Sequence, residues 1–222
     1  AVTIVDSEAG TTGGAIHSEG ALVLSNCTLS GNRAGSFGGG IYKDSPDALA
    51  LTNCTLSANT AQTGDGGGVF IQAGSAQLTH CTLTQNSASS AGGIRSVPDT
   101  SIVANSIIAG NTATATVQDA EGIFTPLGNN LIGDPTGSEE SWSATDLTGI
   151  DAGTVIDRNL RVNGGSLLTH ALLADSPAID AGDTTQATSA GLDYDQRGAG
   201  FARINGAAVD IGAYEVNRFL VD

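Results

Sequence analysis

Three cysteines recur every 27 residues, at Cys27, Cys54 and Cys81, inside the near-identical words SNCTLSGN, TNCTLSAN and THCTLTQN. A fourth copy, ANSIIAGN, places Ser106 at the cysteine position 25 residues later. Self-similarity at such a period means that each copy is one structural unit packed on the next. Each unit also carries a glycine cluster, as at Gly38–Gly40 and Gly66–Gly68, and an apolar residue after it: Ile16, Ile41, Val69 and Ile94. An alternating stretch follows, then the cysteine word, then an asparagine at Asn32, Asn59, Asn86 or Asn111. Short runs of period two between glycine and asparagine turns are strands. A unit of this length holding about three strands is one coil of a parallel β-solenoid.

Stacking then fixes which residues meet, because equivalent positions in successive coils lie about 4.8 Å apart. Leu24, Leu51, Leu78 and Val103 form one inward column, and Leu29, Leu56, Leu83 and Ile108 a second. The cysteines form a third and are read as reduced core thiols, small hydrophobes when buried. Parallel side-chain vectors make the torsion of a disulfide hard to reach. Asn26, Asn53, His80 and Asn105 precede the cysteine position, where a sharp bend calls for residues that tolerate positive φ. Asn32, Asn59, Asn86 and Asn111 suit a hydrogen-bonded amide ladder. At the start, Val2, Thr3 and Ile4 align with Cys27, Thr28 and Leu29, so the chain is expected to begin halfway round a coil.

A net charge of −15, with one lysine and seven arginines, disfavours nucleic acid and anionic membrane surfaces as partners. No apolar run is long enough to span a bilayer, so no membrane insertion is expected. The organisation is read as one β-helix domain over residues 1–222: regular coils at 1–113, a degenerate coil with an acidic excursion at 114–162, and last coils with a C-terminal cap at 163–222. The stretch from Thr136 to Asp157 is expected to bulge from the body.

The second half carries further words: GNNLIGD from Gly128, NGGSLLTHALL from Asn163, SPAIDAGD from Ser176, DYDQRG from Asp193 and VDIGAYE from Val209. In this order they resemble the bacterial secreted β-helix proteins of the choice-of-anchor Q type, relatives of the polymorphic outer-membrane-protein repeats within the pectin-lyase-like superfamily. Tyr214 stands where that family usually has Phe. The resemblance implies an all-β, right-handed parallel β-helix with an extracellular or cell-surface location. It also raises polysaccharide lyase or hydrolase chemistry, since the superfamily contains such enzymes. Hydrolases need a pair of carboxylates at a defined separation. Only seven of the 23 acidic residues lie in residues 1–113, scattered over turns, and no catalytic word is present.

The densest acidic group is Asp180, Asp183, Asp193, Asp195, Asp210 and Glu215, interleaved with Arg197 and Arg203. Asp180, Asp183, Asp193 and Asp195 are candidate ligands of a structural Ca2+, which takes six to eight oxygen ligands. The competing expectation is that Arg197 pairs with Asp195 or Asp210 and locks the C-terminal cap. His17 and His170 are read as isolated turn or packing residues. The functional expectation is a non-catalytic adhesin, spacer or structural module with a cell-surface or glycan ligand. The alternatives are a subunit that self-associates end to end into filaments, and a glycan enzyme.

Overall fold

The structure, a computed structural model, describes residues 1–115, 117–138 and 141–217. The chain winds into a parallel β-solenoid of about five turns. Sheet A stacks Thr3–Val5, Thr28–Ser30, Thr55–Ser57, Thr82–Thr84, Ile107–Ile108, Leu131–Ile132 and Leu147–Thr148. Sheet B stacks five two-residue strands, from Glu8–Ala9 to Thr112–Ala113. Sheet C holds Ile16–Ser18, Ile41–Asp44 and Val69–Ala73 on one side, and Leu22–Ser25, Leu49–Thr52 and Ala76–Thr79 on the other. The long strands Ile94–Ala104 and Ala120–Gly128 run across both sides.

The columns form in the expected register: Leu24 pairs with Leu51, Leu51 with Leu78 and Leu78 with Val103. Leu29, Leu56, Leu83 and Ile108 align likewise. Both columns sit in one continuous core with the three cysteines, which are unpaired and buried. Their thiols donate to backbone carbonyls, Cys54 Sγ to Thr52 O at 3.2 Å among them. Lys43, the one lysine, also points inward and is fully buried, its Nζ donating to Ser45 O at 2.8 Å.

The bend residues Asn26, Asn53, His80, Asn105 and Asn129 all take positive φ, between 47° and 56°. Glycine is required at Gly39 for a different reason. A Cβ there would run into the backbones of Thr60 and Gly67, so the coils could not close to strand spacing.

The amide ladder forms as a chain of paired donations. Asn32 gives its backbone N–H and its Nδ2 to Asn59 Oδ1, Asn59 repeats this to Asn86, and Asn86 to Asn111. Asn111 hands both to Asp119 Oδ1, at 2.9 and 2.7 Å. The cysteine column ends the same way: Cys81 N donates to Ser106 Oγ, Ser106 N to Asn130 Oδ1, and Asn130 N and Nδ2 to Asp146 Oδ1. Each rung passes its donors forward, so the last one needs an acceptor with nothing to donate. A carboxylate is that group. Burial pushes the Asp119 carboxyl upward, against the pull of the Asn111 and Asp134 N–H donors.

Two expectations for the second half are overturned. The Thr136–Asp157 stretch does not bulge away as a whole. Trp142 stacks on Phe124 with ring centres 5.4 Å apart and packs against the main core, while Leu147–Thr148 extends sheet A. The only tryptophan finds an apolar surface at the end of the coils and seals it. Residues 163–217 are not further coils. Arg161–Val162 and Leu168–Thr169 form an antiparallel pair outside the solenoid, and the segment lies as a strap over the outer face of sheet A. The reason lies in that face. Its outward column reads Thr28, Thr55, Thr82, Ile107, Leu131, small hydroxyls that become aliphatic and demand cover.

Candidate functional site

The strap is fastened to the coils by named polar contacts. Gln196 bridges Thr55, Thr28 and the Cys27 carbonyl at 2.5–3.1 Å. Asn53 Nδ2 donates to Tyr194 O, Asn105 Nδ2 to Asp183 O and Asn129 Nδ2 to Ala181 O. The bend asparagines thus reach out to the strap more than to one another. Further along, Ile107, Ala109 and Leu131 pack with Val155, Ile156, Ala178 and Ile211 in a second apolar cluster. The strap is therefore stitched by hydrogen bonds over the early coils and by apolar burial over the late ones.

The acidic group holds the strap itself together. Asp195 takes Arg197 Nε at 2.9 Å and Nη2 at 2.6 Å, and its Oδ2 also accepts Glu215 N at 2.8 Å. Arg197 is clasped between rings, its guanidinium carbon 4.0 Å from the centre of Phe201 and 3.9 Å from that of Tyr214. Such a desolvated cation gains from both the charge pair and the ring faces. Arg203, fully buried, pairs with Glu215 Oε2 at 2.8 Å. Burial pushes the Glu215 carboxyl up to about 7, with Asp210 adding to the rise and Arg203 opposing it.

The four candidate calcium ligands are not brought together. Asp180 Oδ1 accepts Ala207 N at 3.0 Å, Asp183 Oδ1 caps the short helix Thr184–Ser189 through Thr185 N at 2.7 Å, and the Asp193 carbonyl accepts Arg203 N. Both Asp195 oxygens are committed to Arg197 and Glu215 N–H. Among the described residues no three His, Cys, Asp or Glu side chains are grouped to hold a metal ion. Arg197 pairs with Asp195 and not with Asp210.

His170 is not isolated. Its Nδ1–H donates to the Asp157 carbonyl at 2.8 Å, which leaves Nε2 to accept the Ser57 hydroxyl at 2.9 Å. That is the geometry of a base-activated serine, but Ser57 and His170 are 0% and 2% exposed beneath the strap. The pair acts as a staple.

A family model for a right-handed β-helix region matches residues 3–119, more than half of the chain. The chain belongs to the right-handed β-helix family. No curated protein and no solved structure matches it.

On the open lateral side of the β-helix, sheet C presents a column that the sequence reading missed. His17, Tyr42, Phe70, Arg95 and Glu121 lie on successive strands in register, facing outward. Tyr42 and Phe70 stack with ring centres 5.7 Å apart, His17 meets Tyr42 edge-on at 5.0 Å, and Phe37 leans on Phe70 at 4.9 Å. Burial, and then Asp44, raise the Tyr42 phenol. Arg95 lies over Phe70, contacts Asp65 and reaches Glu121 at 3.3 Å, while Ser90 donates to Glu121 at 2.7 Å. The signal was available for four of the five: His17, Tyr42, Phe70 and Arg95 each sit one place after the apolar residue that follows a glycine cluster. With few aromatics in the chain, their convergence on one face shows only once the coils are in register.

Proposed function

We propose that this β-helix is a non-catalytic extracellular or cell-surface module, of the choice-of-anchor Q or polymorphic outer-membrane-protein-repeat type, acting as an adhesin or spacer. The observation that carries this reading is the lateral column His17, Tyr42, Phe70, Arg95, Glu121 with Phe37 beside it. It joins ring edges, a guanidinium and carboxylates on a rigid, strand-spaced frame, which suits a polar surface ligand such as a glycan. The ring faces are spent largely on one another, so the contact would use edges and charges. The densest carboxylate group supports the non-catalytic reading, because Asp195, Glu215, Asp180 and Asp183 hold N–H groups and guanidinium ions within the strap.

The test is binding of the purified chain to a panel of immobilised polysaccharides and to bacterial cell surfaces, beside Tyr42→Ala and Arg95→Ala. Binding that both substitutions weaken supports the lateral face. Cleavage of any polysaccharide in the panel, or binding that neither substitution alters, refutes the reading.

End-to-end assembly is the second reading. The strands Thr3–Val5, Glu8–Ala9, Ile16–Ser18 and Leu22–Ser25 are each last in their sheets, with Ile4, Ile16 and Leu24 only half-buried. A strand in that position pairs with whatever β-strand lies before it, an earlier coil of the same protein or a second copy. A head-to-tail filament needs two open ends, and Trp142, Asp119 and Asp146 close the other one. Light scattering of the chain distinguishes the two readings.

A further inference from the structure

We propose that the strap is an acid-released latch: protonation of His80 and His170 frees its early half, the part over the early coils, from the outer face of sheet A at Thr28, Thr55 and Thr82. Two of the three histidines in the chain lie at this one interface, one on each side of it. His80 belongs to the coils and is fully buried beneath Arg203 and Gly212 of the strap. Its Nε2 meets Asn105 Nδ2 at 3.1 Å, and Nδ1 has no hydrogen-bond partner of good geometry among the described residues. His170 belongs to the strap and closes on Ser57 of sheet A.

The groups facing each ring define the sign. Arg203 faces His80 from the strap, and behind it stand Glu215 and Asp210; Asn53 and Asn105 face it from the neighbouring bends and carry no charge. A proton on His80 would place a second cation beside Arg203 where both side chains are fully buried. Burial, and then Arg203, hold that ring well below the ordinary histidine range, against the backbone of Gly212, which pulls the other way. Around His170, burial lowers proton affinity, Asp157 raises it through its carbonyl and carboxylate, and Arg158 lowers it; Ser57 is neutral. The closed strap therefore refuses protons that an open strap accepts, and acid favours opening. Glu215 and Asp210 work the other way, since burial makes both carboxyls take a proton more readily when the strap is closed.

The place of opening follows from the stitching. Over Ile107 and Leu131 the strap is held by the second apolar cluster, which protonation does not touch. Over Thr28, Thr55 and Thr82 it is held by Gln196, His170 and the Ala213 N–H. The early half releases while the late half serves as the hinge.

The experiment is hydrogen exchange by mass spectrometry on the whole chain, corrected for intrinsic rate, beside the double variant His80→Asn with His170→Gln. Asparagine is what the same column carries at Asn26, Asn53 and Asn105, so the bend accepts it. With an open-state histidine near 6.5, each refused proton multiplies the opening constant up to about 30-fold at about pH 5, and both together up to about 1,000-fold. The expected result is that segments 164–171 and 193–203 lose protection on acidification, segments 49–57 and 76–84 keep it, and the double variant loses far less than the wild type. Glu215 and Asp210 are common to both proteins and cancel in that comparison. Equal loss in the two proteins overturns the latch, as does simultaneous exchange of strap and coils. Should the double variant fail to fold, the imidazole resonances of the wild type decide. His80 and His170 titrating at the ordinary histidine value while the strap stays closed would sink the idea.

Discussion

Replacing Asn86 with alanine removes one rung from the middle of the amide ladder. Its side chain makes four hydrogen bonds: Oδ1 accepts Asn59 N and Nδ2 at 3.0 and 2.9 Å, and Nδ2 donates to Leu56 O and Asn111 Oδ1 at 3.0 and 2.9 Å. Asn86 is fully buried, so no water replaces what is lost. Each such bond is worth about 1 kcal/mol net, and a buried group left without a partner costs about 1–3 kcal/mol. The expected destabilisation is therefore about 3–5 kcal/mol, a large fraction of the stability of a domain of this size. Asn86→Asp is the informative companion. It keeps both acceptances from Asn59 but turns both donations into oxygen facing oxygen. A carboxyl so placed has its affinity for protons raised when folded, so its cost should be smaller in acid and grow as pH rises. Denaturant unfolding followed by circular dichroism gives the total loss. Hydrogen exchange of the Leu29, Leu56 and Leu83 strands shows whether neighbouring coils uncouple, as nearest-neighbour stacking requires. A loss below about 1 kcal/mol for Asn86→Ala would show that the ladder contributes no more than an exposed hydrogen bond, and the argument would fail.

Two further outcomes can be checked directly. The neighbouring thiols, and then burial, raise the proton affinity of Cys27 and Cys54, so the folded chain should not react with a thiol-exchange reagent at neutral pH, and three thiols should appear on denaturation; rapid labelling of the folded chain would contradict the packing described. Thermal melts with calcium and with EDTA should coincide, because both oxygens of Asp195 are already held by Arg197 and Glu215 N–H; a melting temperature raised by calcium would restore the calcium reading.

The coils were legible because stacking turns a sequence period into a spatial column. Once Cys27, Cys54 and Cys81 are aligned, the partners of Leu51, Leu56 and Asn59 follow without further information. The ladder ends were not legible, since the period fails there. Asp119 follows Asn111 by eight residues and Asp146 follows Asn130 by 16, yet both carboxylates land one rung below. The backbone takes a different route to each rung, and a spacing rule sees only the route. The chemical rule was available: a ladder whose rungs all donate forward must end on a group that only accepts.

The strap was hidden for a different reason. Its contacts pair a periodic surface with an aperiodic segment, so no spacing in the sequence announces them. The words that carried the resemblance nonetheless fall on its fasteners. His170 lies in the THALL word, Asp180 and Asp183 in SPAIDAGD, Gln196 and Arg197 in DQRG, and Asp210 and Glu215 in DIGAYE. Those residues bond Ser57, Asn105, Thr28, Thr55 and one another. Dense acids read from sequence invite a metal or a catalytic pair, because charges are costly to bury without a purpose. Here the purpose is mutual. Asp195 with Arg197 and Glu215 with Arg203 neutralise each other inside a segment that has little regular secondary structure to satisfy its backbone. The same carboxylates accept the N–H groups of Arg197, Glu215, Asp210 and Asn205 that a strand ladder would otherwise take. A run of Asp, Arg and Gly words after the last regular coil of a β-solenoid is thus read first as a lock on the outer face, and as a site only when a carboxylate is left with nothing to hold.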